Sequence, residues 1–196
     1  MKASGVMSEQ IEIEFKTLLS ETNYNHLIAH YQITTSDIKT QVNHYFDTPD
    51  QQLRNKRYGL RVRTTALYDE LTLKTPVDNG LLETTDRLTK EETAEILRTG
   101  RILQTGAVAK RLLTASIDPT AIVPLTSLTT KRAEFPIKEG LLAIDHSWYG
   151  DKEDFELELE VTDPISGKDA FLALLTAFEI PYMPAKNKIE RAMSEK

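Results

Sequence analysis

Polar and apolar residues alternate strictly over residues 11–16: Ile11, Ile13 and Phe15 fall on one side, Glu12, Glu14 and Lys16 on the other. Successive side chains of a strand leave opposite faces of a sheet. The segment therefore predicts a strand with one oily and one charged face. The same period returns in residues 42–48, and in 58–64 and 69–75, which a short connection joins as a hairpin. It returns again in 125–137, 140–150 and 154–163, which short turns link into an antiparallel meander. Elsewhere the period is that of a helix. Tyr24, Leu27, Ile28 and Tyr31 share one face after Ser20. Thr89 with Glu92 has capping-box spacing, and Gly100 marks the stop. A helix is expected within 106–113. Another is expected from near Ser166, with Asp169 as cap partner, Phe171, Leu174, Leu175 and Phe178 buried, and Pro181 as its end. A short helix is expected after Pro184.

These faces carry a skewed set of charges. Arg61 and Arg63 oppose Leu60 and Val62; Glu70, Thr72 and Lys74 oppose Leu71 and Leu73. Arg132 shares a face with Glu134, and Glu156, Glu158 and Glu160 lie opposite Phe155, Leu157 and Leu159. An antiparallel sheet with one wet face explains any one of these strands. Their recurrence points further. Glutamates about 6–7 Å apart along one strand repel unless cations lie nearby, and a sheet of many strands tends to close. With helices outside, the charged face turns inward. Carboxylate oxygens suit hard divalent cations, arginine forks grip phosphate, and lysine adds a compact charge. The pattern is that of a phosphate-and-metal site.

Composition narrows the class. The 196 residues fit one domain or two small ones, with 40% hydrophobic and 28% charged residues. We expect residues 1–7 to be a disordered extension, with Met1 or Met7 as the start, and 8–196 to form a single domain. With no cysteine, disulfides, thiolate metal sites and a cysteine nucleophile are excluded. That usage fits a cytoplasmic protein. The apolar runs fall short of the roughly 20 residues of a membrane span, and "MKASGVMSEQ" lacks the apolar core of a secretory signal. A net charge of −6 argues against broad nucleic-acid binding. A monomer and a homodimer both fit.

Beyond these patterns, the sequence resembles the CYTH family, or triphosphate tunnel metalloenzymes, which includes thiamine triphosphatases, inorganic triphosphatases and class IV adenylate cyclases. The resemblance is carried by "EIEFK" (12–16), the family's Glu-x-Glu-x-Lys. It continues in family order through "HYFDT" (44–48), "LRVR" (60–63), "TLK" (72–74), "KRAEF" (131–135), "LAID" (142–145), "ELELE" (156–160) and the basic "KNKIER". It implies an α+β fold, a closed eight-stranded antiparallel barrel wrapped by helices, with a charged tunnel. It also implies a triphosphate clamp of Arg61, Arg63, Lys74 and Arg132 beside Lys16, completed by Lys186 or Lys188. Glu12, Glu14, Glu156 and Glu158 become metal ligands for Mg²⁺ or Mn²⁺, joined by Asp145; Glu160 shares their parity. Arg87 is either a further phosphate contact or a loop charge.

The expected chemistry is metal-dependent hydrolysis of a small triphosphate, with Glu14, Lys74 and Arg63 as the catalytic set. Phosphoryl transfer depends on positioning and electrostatics, and two cations could divide the work of offsetting charge and positioning water. Glu14, Lys74 and Tyr45 are the general-base candidates. Cyclisation of ATP to cyclic AMP is the second reading. A polyphosphate-binding module without turnover is the third, although it would need only the basic residues. His26 and His30 are expected to pack or face solvent, and His44 and His146 to be wall residues. Trp148 and Tyr149 could cover one tunnel mouth or pack against a helix, and packing is the favoured role.

Overall fold

A computed structural model describes residues 7–193. The extension expected over residues 1–7 lies outside them, apart from Met7, which opens the first strand. Eight strands close into an antiparallel barrel: β1 (Met7–Leu19), β2 (Ile38–Asp47), β3 (Gly59–Thr65), β4 (Asp69–Val77), β5 (Gly80–Leu88), β6 (Val123–Ile137), β7 (Gly140–Tyr149) and β8 (Lys152–Val161), in the spatial order β1-β5-β4-β3-β2-β6-β7-β8. Among the described residues six α-helices accompany them: α1 (Glu21–His30), α2 (Gln52–Asn55), α3 (Lys90–Thr99), α4 (Ala107–Thr114), α5 (Pro164–Ala177) and α6 (Lys188–Met193). No helix among the described residues is long and apolar enough to cross a membrane.

The chain forms two compact units. The first holds Val42–Ser127 with the start of β1 up to Ile11. Leu60 and Val62 of β3 and Leu71 and Leu73 of β4 are wholly buried there, together with Ile96 of α3 and Val108 and Leu112 of α4. Each such side chain contributes about 1.5–3 kcal/mol by leaving water. The second unit holds Glu12–Gln41 and the chain from Leu128 onward. Leu142 and Ile144 of β7 and Leu157 and Leu159 of β8 pack with Leu27 of α1 and Phe171 and Leu175 of α5. In both units the oily face of the strands takes the helices, and the charged face is the inner one.

Local chemistry sets the helix ends. Thr89 Oγ1 accepts from the Glu92 amide while Glu92 accepts from the Thr89 amide, and Gly100 closes α3 in the left-handed region at φ 72°. The helix expected from Ser166 starts two residues earlier. Asp163 Oδ1 accepts from the amides of Ile165 and Ser166, and Pro164 sits at the first helical position, where its missing N–H is harmless. Asp169 lies inside α5 and caps nothing. The helix expected just after Pro184 begins only at Lys188. The chain before it is engaged with β1: Leu18 donates to the Met183 carbonyl at 3.0 Å, and the Met183 amide donates to Thr17 Oγ1 at 2.8 Å.

β5 is the strand absent from the sequence reading. It pairs along its whole length with β4. The turn Asp78–Asn79 before Gly80 carries the residues a tight hairpin favours.

Candidate functional site

In the first unit, the inner face is a basic row threaded by acids. β3 and β4 pair so that Arg61 stands opposite Thr72 and Arg63 opposite Glu70. β5 then sets Glu83 opposite Lys74 and Arg87 opposite Glu70. Lys74 Nζ lies 2.7 Å from Glu83 Oε1, and Arg61 Nη2 lies 3.8 Å from the same oxygen. Burial raises the Glu83 carboxyl, but the charges of Lys74 and Arg61 overcome it and hold it below its ordinary value. Arg63 Nε donates to Asn43 Oδ1 at 3.0 Å, and its Nη1 lies 3.9 Å from Glu70. Arg87 is on a strand, not a loop. It pairs with Glu70 at 3.6 Å and stacks on the Tyr68 ring at 3.9 Å.

The inner face of the second unit gathers the carboxylates. Register places Glu14 opposite Glu160 and Lys16 opposite Glu158, while Asp145 stands between Arg132 and Glu156. Glu12, Glu14, Glu158 and Glu160 border one narrow cleft with Glu134 and Arg132. Deeper in, Asp145, Glu156 and Glu158 are buried, and one oxygen from each lies within 4.8 Å of the others. Three oxygen donors so placed match the preference of hard divalent ions such as Mg²⁺ and Mn²⁺.

Cations of the chain hold this cluster together. Arg132 donates through Nε and Nη2 to the two oxygens of Asp145, at 2.8 and 2.7 Å, and also reaches Glu158. Lys188 Nζ donates to Glu156 and Glu158 and lies 2.9 Å from Asp145 Oδ2. Burial lowers the Lys188 ammonium, but Asp145 and Glu158 outweigh it and hold the group well above its ordinary value. Burial raises Asp145 and Glu158, but the charges of Arg132 and Lys188 hold both below the usual carboxylate range. For Glu156 burial wins over Lys188, pushing its carboxyl up to about 7. Lys16 donates to Glu14 at 2.8 Å and to Asn187 Oδ1 at 3.1 Å.

Of the two lysines the sequence left equivalent, Lys188 reaches the carboxylates. The Lys186 side chain is exposed, and its carbonyl accepts from Arg191. Sequence reasoning missed Arg191, which donates to Glu156 at 2.6 Å and lies 2.8 Å from Asp154. Its signal was available: Lys188 and Arg191 are three residues apart, so a helix puts them on one face. Glu83 and Asn43 were also missed, Glu83 because β5 was not recognised.

The remaining side chains fall into packing roles. Tyr45 is buried two residues along from Asn43. His26 and His30 meet the Phe178 ring edge to face. The His146 ring packs on Phe155 and Trp148, and its Nε2 lies 2.8 Å from Glu153. Tyr149 donates to Asp154 at 2.6 Å.

Known proteins resemble this chain in sequence and in fold. The sequence profile described as CYTH domain matches residues 10–193. A Bacillus subtilis (strain 168) protein named "Putative triphosphatase YjbK" is 42% identical over 190 residues, covering 97% of this chain and 98% of the relative. The crystal structure of a Bacillus halodurans protein, described as "a putative adenylate cyclase", superposes with a TM-score of 0.89 at 38% identity, covering 93% of this chain and 97% of the other. A Hippeastrum protein, described as a "putative adenylyl cyclase" with "dominant" triphosphatase activity, shares the fold at a TM-score of 0.78 and 24% identity, covering 95% and 97%.

Proposed function

The chain belongs to the CYTH domain family, and from that premise we propose that it is a divalent-metal-dependent triphosphatase acting on a small triphosphate in the cytoplasm. The observation that carries the reading is the convergence of Asp145, Glu156 and Glu158 within 4.8 Å of one another beside Arg132 and Lys188. A pure anion-binding protein has no use for three buried carboxylates among its cations. The name of the 42% identical relative points the same way.

Asp145, Glu156 and Glu158, with Glu12, Glu14 and Glu160, are the residues that would hold Mg²⁺ or Mn²⁺. When bound, such an ion would offset charge on the phosphoryl oxygens and make the phosphorus more open to attack. The residues of the chain supply the rest. Arg61, Arg63 and Lys74 bind and orient the phosphates, assisted by Lys16, Arg132 and Lys188. Glu83 and Asn43 fix the directions of Lys74 and Arg63. Guanidinium forks match pairs of oxygens on a phosphoryl group through two parallel hydrogen bonds. Their preorganisation on paired strands means little rearrangement as charge shifts in the reaction. Glu14, held by Lys16, is the carboxylate we assign to water activation.

The test is phosphate release from inorganic triphosphate, thiamine triphosphate and ATP with Mg²⁺, Mn²⁺ or chelator. Turnover that needs metal and is lost in folded Glu14→Gln and Arg63→Ala supports the reading. Tight binding with no turnover under any metal supports a binding module instead. The description of the 38% identical structure favours a second reading, so cyclic AMP is measured in the ATP arm; its formation in place of free phosphate would identify a cyclase.

A further inference from the structure

The three carboxylates best arranged to take a divalent ion already enclose a cation of the chain itself. Lys188 Nζ contacts Asp145, Glu156 and Glu158, and only 12% of its side chain is exposed. Arg132 forks onto Asp145 and reaches Glu158. Arg191 donates to Glu156 from the far side of the same group. Three acids are thus matched by three bases. A divalent ion using those oxygens would meet the ammonium at contact range, in a buried setting where like charges are poorly screened. One set of carboxylates cannot hold both.

We propose that Lys188 and a divalent cation compete for the Asp145, Glu156 and Glu158 carboxylates, so that metal loading expels the Lys188 ammonium and frees it to meet an anion. The freed ammonium has a purpose only under the triphosphatase reading, on which that part rests; the competition itself does not need it. Lys188 is the first residue of α6, so its release loosens the start of the helix. Arg191, on the same face one turn later, keeps a separate anchor. Its Nε lies 2.8 Å from Asp154, an acid that also accepts from Tyr149 and takes no part in the cluster. The tail therefore pivots about Arg191 without leaving. In the metal-free state the same lysine keeps the acids paired, so that the protein stays folded without its ion.

Two measurements without substrate test this. In calorimetric titration of Mn²⁺, the Lys188→Met variant, which keeps the stem and removes the charge, is expected to bind about tenfold more tightly than the unaltered protein, within the usual range of coupling between two ligands. Amide hydrogen exchange of the unaltered protein across residues 184–193 is expected to rise on saturation with Mn²⁺. Equal or weaker binding by folded Lys188→Met overturns the proposal, as does unchanged or slowed exchange. If the variant does not fold, the exchange experiment decides alone. Neither measurement uses turnover: a protein that shows the competition but cleaves no triphosphate sinks only the functional reading, and one that cleaves triphosphate with unchanged exchange sinks only the competition.

Discussion

Glu83 Oε1 lies 2.7 Å from the Nζ of Lys74, the residue directly opposite it across the β4–β5 ladder. The same oxygen lies 3.8 Å from Arg61. Both cations belong to the proposed phosphate clamp, so Glu83 stands where an anion's charge would otherwise stand. Replacing it by glutamine keeps the shape and removes the charge. We expect Glu83→Gln to lose about 1–3 kcal/mol of stability, the usual penalty when a partly buried group loses its partner. Added inorganic triphosphate should recover more than it gives the unaltered protein, because ligand stabilisation follows the affinity for the native state. Thermal unfolding with and without the anion measures both effects. An equal upward shift in the two proteins would mean that Glu83 does not compete with the phosphates.

Asp86 works on the other face of the same strand. Its carboxylate accepts from the amides of Ala107 and Val108, each at 2.9 Å, and so caps α4 from outside the helix. Gly106 makes room for it: a Cβ there would stand 2.5 Å from an Asp86 oxygen, and its φ of 101° is one that other residues rarely adopt. Asp86→Ala is expected to lower the unfolding free energy by about 1–2 kcal/mol, and Gly106→Ala by at least as much. The double variant should lose less than the two losses added together, since the clash disappears with the carboxylate. Urea denaturation supplies the cycle; strict additivity would deny the contact.

The same residue explains why β5 was not legible in the sequence. Its outward positions are Leu82, Thr84, Asp86 and Leu88, so the face that should read as oily is broken by a helix cap. β4 and β8 were legible because apolar residues follow one another on that face, Leu71 with Leu73 and Leu157 with Leu159, and a one-residue slip would bury charge. Parity also brought Glu12, Glu14, Glu158 and Glu160 to one cleft. What parity could not supply is how far a side chain reaches from a helix. Lys186 and Lys188 share parity in an extended chain, and only the late start of α6 sends Lys188 to the carboxylates.

Opposing shifts in that cluster predict an unusual dependence on pH. Burial lifts Glu156 from 4.5 to about 7, so between these values the native state holds a proton that the unfolded chain has released. Stability from this group is therefore full below the lower value, falls as pH rises through the window, and is flat above it. Asp145 and Glu158, held below the usual range, act in the opposite sense: their contribution is present above the unfolded value and is lost as pH falls through the folded one. In chelator, urea midpoints should decline from about pH 5 to about pH 7. Glu156→Gln should flatten that decline and leave the loss in stronger acid. A decline that survives the substitution would assign the proton elsewhere.

Arg132 separates charge from geometry in the same cluster. Its guanidinium spans both oxygens of Asp145 and extends to Glu158 and to Glu134, the last at 3.3 Å. Arg132→Lys keeps the charge, but an ammonium is a point donor and cannot lie flat against one carboxylate while reaching two others. The expected loss is about 1.5–3 kcal/mol, the scale of one hydrogen bond to a charged group. Arg132→Met removes the charge as well and leaves buried acids short of a partner, for which about 3–5 kcal/mol is typical. Denaturant unfolding of both variants in chelator should therefore rank the unaltered protein above lysine and lysine above methionine. If lysine matched arginine, the fork would be incidental and simple charge balance would suffice to hold the acids. If methionine matched lysine, Lys188 and Arg191 alone would balance the cluster, and the guanidinium would have to be explained by what it offers to phosphate.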